Sequence, residues 1–181
     1  MTFYAHLNLL SAIIMGLAVV KLLKGLVWMV QGRQQIKVYW VHVAWIVIAI
    51  LGQFVHYWHI GNLRNSTGGE SYYGFADMLL TPIFFYLVAA LLIPPSGKDS
   101  PVNLEDFYYD NRSWIFGAFA AGSVVNAGFY GYIVNRSFEG GFFGSIAWFV
   151  ICVALAVTRN KWVHMAVAII ALLSIPFAIS N

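Results

Sequence analysis

Long apolar segments separated by short polar ones make up nearly the whole chain. A helix that crosses a bilayer needs about 20 mostly apolar residues, each adding 1.5 Å of rise. The segments that satisfy this requirement are residues 3–30, 38–60, 72–93, 113–134, 141–157 and 162–179. The pattern therefore predicts an all-α integral membrane protein: a single domain over residues 1–181, built as a bundle of about six transmembrane helices with short loops.

The composition supports the same class. Hydrophobic residues account for 61% of the chain and charged residues for 9%, whereas soluble domains average about 45–50% and about 25%. A chain this short has too little interior to bury so much apolar surface, so we expect lipid to cover the excess. The single cysteine, Cys152, lies in an apolar segment and is expected to be a small buried side chain. Residues 1–8 lack the basic start of a cleavable signal, so the first segment is expected to remain as a helix.

The basic residues predict the orientation. The loops after the first, third and fifth segments hold or adjoin eight of the ten: Lys21, Lys24, Arg33, Lys37, Lys98, Arg112, Arg159 and Lys161. Only Arg64 and Arg136 lie in the second and fourth loops. Because cytoplasmic loops carry the excess of Lys and Arg, this distribution predicts that both termini lie outside the cell membrane.

The third loop contains a further predicted helix. Pro94 and Pro95 end the third span, since proline lacks the amide hydrogen that a helix needs. Asn103 is a suitable N-cap, followed by acidic residues in the first turn and then Leu104, Phe107 and Tyr108 at helical spacing. One interpretation is an interfacial helix between spans three and four, lying on the inner leaflet; the other is a docking surface for a soluble partner.

Polar residues inside the spans are the candidates for function, because ionisable groups in a bilayer are costly. Under the predicted orientation, six such residues from four helices share the outer half of the bundle: His6, Gln53, His56, His59, Asp77 and Asn126. We expect His56 and Asp77 to lie close together and to form the polar core of this outer cluster.

Three kinds of chemistry are open to the outer cluster. A metal would take its ligands from His56, His59, His6 and Asp77. Haem would need two histidines on facing helices, either His6 with His56 or His59, or, at the inner side, His42 with His164. A proton relay would use His56, Gln53 and Asp77. The competing interpretation is that His6, His42, His59 and His164 are interfacial rings and that Asp77 pairs structurally with His56. Under it no cofactor is needed.

Small residues recur on two of the helices. Gly140 and Gly144 form a GxxxG pair in the fifth segment. The fourth segment carries Ala118, Ala121, Gly122, Gly128 and Gly131. Such residues let helix backbones approach closely, so they favour a compact bundle, a homo-oligomer or a membrane partner.

Three stretches of the sequence resemble a group of uncharacterised bacterial inner-membrane proteins with about six spans. They are residues 9–25 with their late basic pair, the VYWVH run at residues 38–42, and residues 93–117 with the NLEDFYYDNRSWIFG run. The resemblance extends over about two-thirds of the chain. It implies the cytoplasmic membrane of a prokaryote and implies no activity.

The sequence therefore leaves three classes of function. The most favoured is a non-catalytic sensor, scaffold or accessory subunit, which fits the short loops. The second is a small ion or solute conduit or transporter that uses the outer cluster. The third is a haem, metal or quinone redox protein that uses the histidines. The chain has no GxSxG, HExxH or GxxxxGK[ST] motif, which disfavours the corresponding enzymes. Its net charge of +3 is too small and dispersed for nucleic-acid binding.

Overall fold

The computed structural model describes residues 3–63, 72–95, 102–132 and 140–180. The helices within these ranges are α1 (Phe3–Gln31), α2 (Trp40–Leu63), α3 (Tyr72–Leu92), α4 (Leu104–Tyr132), α5 (Gly140–Val157) and α6 (Lys161–Ser180). Two short strands, β1 (Ile36–Lys37) and β2 (Val102–Asn103), complete the described structure. The all-α prediction is confirmed, and every predicted apolar segment coincides with one helix.

Three helices of the described chain are long and apolar enough to cross a membrane by length and composition. They are formed by Ala5–Gln31 in α1, Trp40–Trp58 in α2 and Phe75–Leu92 in α3. Two shorter apolar helices follow, Phe142–Val157 and Lys161–Pro176. The chain thus has the helices of a membrane protein.

The distribution of exposed side chains is that of a protein surrounded by lipid. Large apolar residues lie exposed along the helices, among them Leu17 on α1, Val150 on α5 and Leu173 on α6. Several polar side chains are buried instead, including Gln53 and Asp77. A water-soluble bundle places its polar groups outside and its apolar groups inside. Exposed apolar faces together with buried polar side chains are expected where hydrocarbon is the solvent.

Apart from Asp77, the charged residues that the structure describes gather at one end of the bundle, which we call the basic end. α1, α3 and α5 end there, and α2, α4 and α6 begin there. Parallel pairing of β1 with β2 brings Ile36 opposite Val102 and joins the loop after α1 to the segment before α4. Lys98, Arg64 and Arg136 lie outside the described residues.

An aromatic layer fills the core next to the basic end. Trp45 of α2 is fully buried, and its ring packs edge-on against Phe116 of α4 with centroids 4.8 Å apart. Phe119 and Trp148 extend this contact to α5, at 5.9 and 6.2 Å from Trp45. α4 packs along both α3 and α5, while α6 packs against α2.

The N-cap predicted at Asn103 is confirmed. The backbone N–H of Glu105 donates to Asn103 Oδ1 at 3.1 Å, and Asn103 Nδ2 donates to Asp106 Oδ2 at 2.6 Å. These bonds satisfy an amide at the start of α4 that has no partner within the helix. The first turn of α4 is therefore fixed by its own side chains.

The predicted helix after Asn103 is confirmed as the first turns of α4, because residues 104–132 form one continuous helix, and its position at the membrane interface stays a prediction. No proline or glycine interrupts the backbone between Asn103 and Gly117. Leu104 and Tyr108 are fully buried against the bundle and do not lie on a lipid surface. The apolar face that suggested an amphipathic helix is thus the buried face of the first turns of α4.

Candidate functional site

A chain of polar side chains joins α3, α4 and α5 toward the end opposite the basic end. Asp77 of α3 is 2% exposed, and its Oδ1 accepts a hydrogen bond from Thr81 Oγ1 at 2.8 Å. The same carboxylate is hydrogen-bonded to the side chain of Asn126 on α4. Asn126 Oδ1 in turn accepts from Ser145 Oγ of α5 at 2.6 Å. We call these four residues the Asp77 chain.

His56 and Gln53 are buried side chains of α2. The buried His56 ring packs against Phe85 with centroids 5.9 Å apart. Phe85 is two turns beyond Asp77, about 12 Å along the helix axis. Gln53 is 1% exposed and its Nε2 donates to the Ala49 carbonyl at 3.1 Å. The hydrogen bonds of Asp77 go to Thr81 and Asn126, and its predicted pairing with His56 stays a prediction.

His6 and His59 are the remaining members of the predicted outer cluster. His6 is exposed on α1. His59 belongs to α2, but its side chain lies outside the described residues. Within the part of the chain that the structure describes, no three His, Cys, Asp or Glu side chains come together as a metal site. Of the predicted outer cluster, the structure joins Asp77 with Asn126. His56 packs against Phe85, and Gln53 bonds to Ala49 within α2.

The best-connected polar group of the described structure lies at the basic end, around the last carbonyls of α5. Ser113 Oγ donates to the Ala156 carbonyl at 2.9 Å. Arg112 Nε donates to the Thr158 carbonyl at 3.1 Å, and Arg112 Nη2 reaches the Val157 carbonyl at 3.5 Å. A helix end leaves such carbonyls without partners in the helix. Two side chains of α4 thus cap the C-terminus of α5.

His164 of α6 completes this cap. Its Nε2 lies 3.1 Å from the Thr158 carbonyl and its Nδ1 lies 2.6 Å from Tyr108 Oη. A carbonyl oxygen only accepts, so Nε2 carries the proton and Nδ1 accepts from the tyrosine hydroxyl. Burial raises the pKa of the Tyr108 phenol, which keeps it neutral as the donor. We call Arg112, Ser113, His164 and Tyr108, with the carbonyls that they bind, the α5 cap.

His42 is fully buried beside the α5 cap. Its ring packs edge-on against Phe107 and Tyr108, with centroids 5.8 and 5.9 Å apart. The His164 ring also packs against Tyr108, with centroids 5.3 Å apart. Both histidines therefore contact one phenol ring, and a haem held between them would have to displace Tyr108. Both rings are 0% exposed and therefore pack inside the protein, while their predicted depth at the membrane interface stays a prediction.

Ion pairs surround the α5 cap. Lys161 contacts Glu105, and Arg159 Nη2 lies 3.6 Å from Asp110 Oδ1. The Lys161 ammonium lowers the pKa of Glu105, and Glu105 raises the pKa of Lys161. Exposed pairs of this kind add little stability. They do join the start of α4 to the loop between α5 and α6.

Sequence reasoning used several of these residues for other purposes. Arg112 counted only toward orientation, Tyr108 only toward an apolar face, and Ser145 not at all. The available signal was the Arg112-Ser113 pair, two hydrogen-bond donors at the first turn of a span. These two donors need hydrogen-bond acceptors, but the sequence does not show which helix end supplies them.

No family model matches the chain, and no curated protein or solved structure is significantly similar to it.

Replacing Tyr108 by phenylalanine should destabilise the protein. The substitution leaves the buried Nδ1 of His164 without its donor, which costs about 1–3 kcal/mol. Tyr39→Phe is the matched control, since it removes a 3.1 Å bond to the Tyr109 hydroxyl at a half-buried site. The thermal unfolding midpoint in one detergent should fall further for Tyr108→Phe than for Tyr39→Phe. Equal midpoints for the two variants would contradict the assigned role of His164.

Proposed function

We propose that the chain crosses a bacterial inner membrane six times, with both termini outside, and acts as a non-catalytic scaffold or accessory subunit. Helix length supports six spans. α5 and α6 have 18 and 20 residues, about 27 and 30 Å, against a hydrocarbon thickness of about 30 Å. Residues 113–132 of α4 cover a further 30 Å or so after its charged first turns.

The observation that carries the scaffold proposal is the use of polar groups in the α5 cap. Arg112 donates to three carbonyls, including that of Tyr109 at 2.7 Å. His164 uses both ring nitrogens, and Ser113 uses its hydroxyl. Groups committed to fixed backbone partners are not available to a substrate. They instead hold α4, α5 and α6 in one arrangement, as a rigid platform requires.

Exposed small residues favour a helical partner for this platform. A Cβ atom added at Gly128 of α4 or Gly144 of α5 would meet no atom within 4 Å, and both glycines are exposed. Gly122 of α4 lies against the bundle instead, because a Cβ atom added there would be 3.3 Å from the Cβ of Phe84 on α3. Gly122 thus serves packing within the bundle. Gly128 and Gly144 leave room for the backbone of a second copy or another membrane protein.

Leucine at Gly128 or Gly144 should disrupt assembly without unfolding the chain. The added side chain would block close approach of a partner helix while meeting nothing inside the monomer. Gly16→Leu on α1 is the matched control, because Gly16 is also exposed with nothing within 4 Å. Particle mass measured in native nanodiscs should fall for the first two variants and stay at the wild-type value for the control. A wild-type particle of monomer mass, or unchanged mass in both variants, would refute the proposal.

The Asp77 chain favours a second candidate, a conduit for protons or small cations. A buried carboxylate within a span is costly by a few kcal/mol unless it finds a partner. Here it lies among the hydroxyls of Thr81 and Ser145 and the amide of Asn126, a set of oxygen donors that suits hard cations. Three helices supply these groups, so a cation could be bound between them.

Asp77→Asn separates the two candidates. Asparagine retains an acceptor for Thr81 but removes the negative charge. If the chain is a conduit, wild-type proteoliposomes should show cation or proton flux that Asp77→Asn abolishes, while the exposed control Asp110→Asn keeps it. A wild type without flux above empty liposomes would exclude the conduit and leave the scaffold.

A further inference from the structure

One face of α1 has features that neither the Asp77 chain nor the α5 cap explains. α1 has 29 residues, about 43 Å of helix, and so exceeds the hydrocarbon thickness of about 30 Å. Lys24 lies 21 residues after Phe3, about 32 Å along the axis. Under the proposed six-span arrangement its ammonium group is therefore level with the phosphates of the inner leaflet.

A shallow groove of about 410 Å³ surrounds this lysine. It is lined by Val20, Leu23, Lys24, Val27, Trp28 and Gln31. In order along the helix, the groove offers Val20 and Leu23, then the Lys24 ammonium, then Val27, the Trp28 indole and the Gln31 amide. A phospholipid beside a helix places its acyl chains before its phosphate in the same direction, and its polar headgroup after it.

Among the residues that the structure describes, no acidic side chain forms an ion pair with the cation in the groove. The ion pairs among the described residues are Lys161 with Glu105 and Arg159 with Asp110. Lys21, one turn away, is likewise in neither pair. The opposite face of α1 packs into the bundle, where Leu22 is fully buried and Gly25 adjoins Ile93, the residue after α3. Lys24 thus faces outward, with its positive charge available to a ligand.

We propose that this groove binds an anionic phospholipid of the inner leaflet, with Lys24 and Lys21 at its phosphate and an acyl chain along Val20 and Leu23. An ammonium and a phosphate form a charge-assisted hydrogen bond, and basic sites beside transmembrane helices attract anionic headgroups. A partner helix is the less suitable occupant, because it would bury Lys24 unless it brought an acidic residue to the same depth.

The experiment compares phosphatidylglycerol with phosphatidylcholine on the purified full chain in mild detergent. Native mass spectrometry should show wild-type protein that retains phosphatidylglycerol in preference to phosphatidylcholine. Lys24→Gln should bind phosphatidylglycerol about fivefold more weakly, the effect of one surface lysine on an anionic lipid. Lys24→Arg should bind it like the wild type. Lys37→Gln, an exposed lysine outside the groove, is the matched control and should also bind normally.

A second variant tests the groove without changing its charge. Val27→Trp fills the groove while Lys24 remains, so it should reduce the retained phosphatidylglycerol as Lys24→Gln does. Equal binding of the two lipids by the wild type would overturn the proposal. The proposal would also be overturned if Lys24→Gln and Val27→Trp both retained as much phosphatidylglycerol as the wild type. Because the readout is retained lipid per chain, the result does not depend on whether the chain assembles with a partner.

Discussion

The end of α5 imposes the constraint on which the basic end of the structure depends. The backbone carbonyls at a helix end near hydrocarbon need hydrogen-bond donors from the protein, because lipid supplies none. α5 ends at Val157 and α6 begins at Lys161, so the chain turns too quickly to satisfy these carbonyls itself. Arg112 and Ser113 of α4 and His164 of α6 provide the donors. Since each donor must reach a particular carbonyl, the cap sets the register among three helices.

The rest of the bundle is arranged around that register. The aromatic layer of Trp45 and Phe116 separates the α5 cap from the polar groups farther along the helices. Beyond it, the Asp77 chain is joined by side chains alone: the half-buried Asn126 of α4 bonds to Ser145 on α5 and to Asp77 on α3. The α5 cap and the Asp77 chain differ in whether their polar groups remain available to a ligand. The cap commits its donors to backbone, which favours a scaffold, whereas Asp77 keeps a buried carboxylate within a span, which favours a conduit.

The sequence predicted the helices well because long apolar segments are a direct consequence of the membrane as solvent. It predicted the cap at Asn103 because that bond depends on residues within one turn. It predicted a helix after Asn103 but not what covers its apolar face, since such a face looks the same whether lipid or protein covers it. Contacts such as Arg112 with Thr158 or Asn126 with Ser145 depend on the register between separate helices, which periodicity within one helix does not contain. The fully buried positions of His42 and His164 were missed for the same reason.

The central claim, that the chain crosses the membrane six times with the basic end inside, is tested most directly by thiol labelling in intact cells. Single cysteines would be placed at Asn65, Ser100 and Asn135 in a Cys152→Ser background; the three positions lie in predicted loops outside the described residues. Asn65→Cys and Asn135→Cys should react with an impermeant reagent, and Ser100→Cys should react only after permeabilisation. Labelling of Ser100→Cys alone would reverse the orientation. The same accessibility at positions 100 and 135 would show that α4 does not cross the membrane.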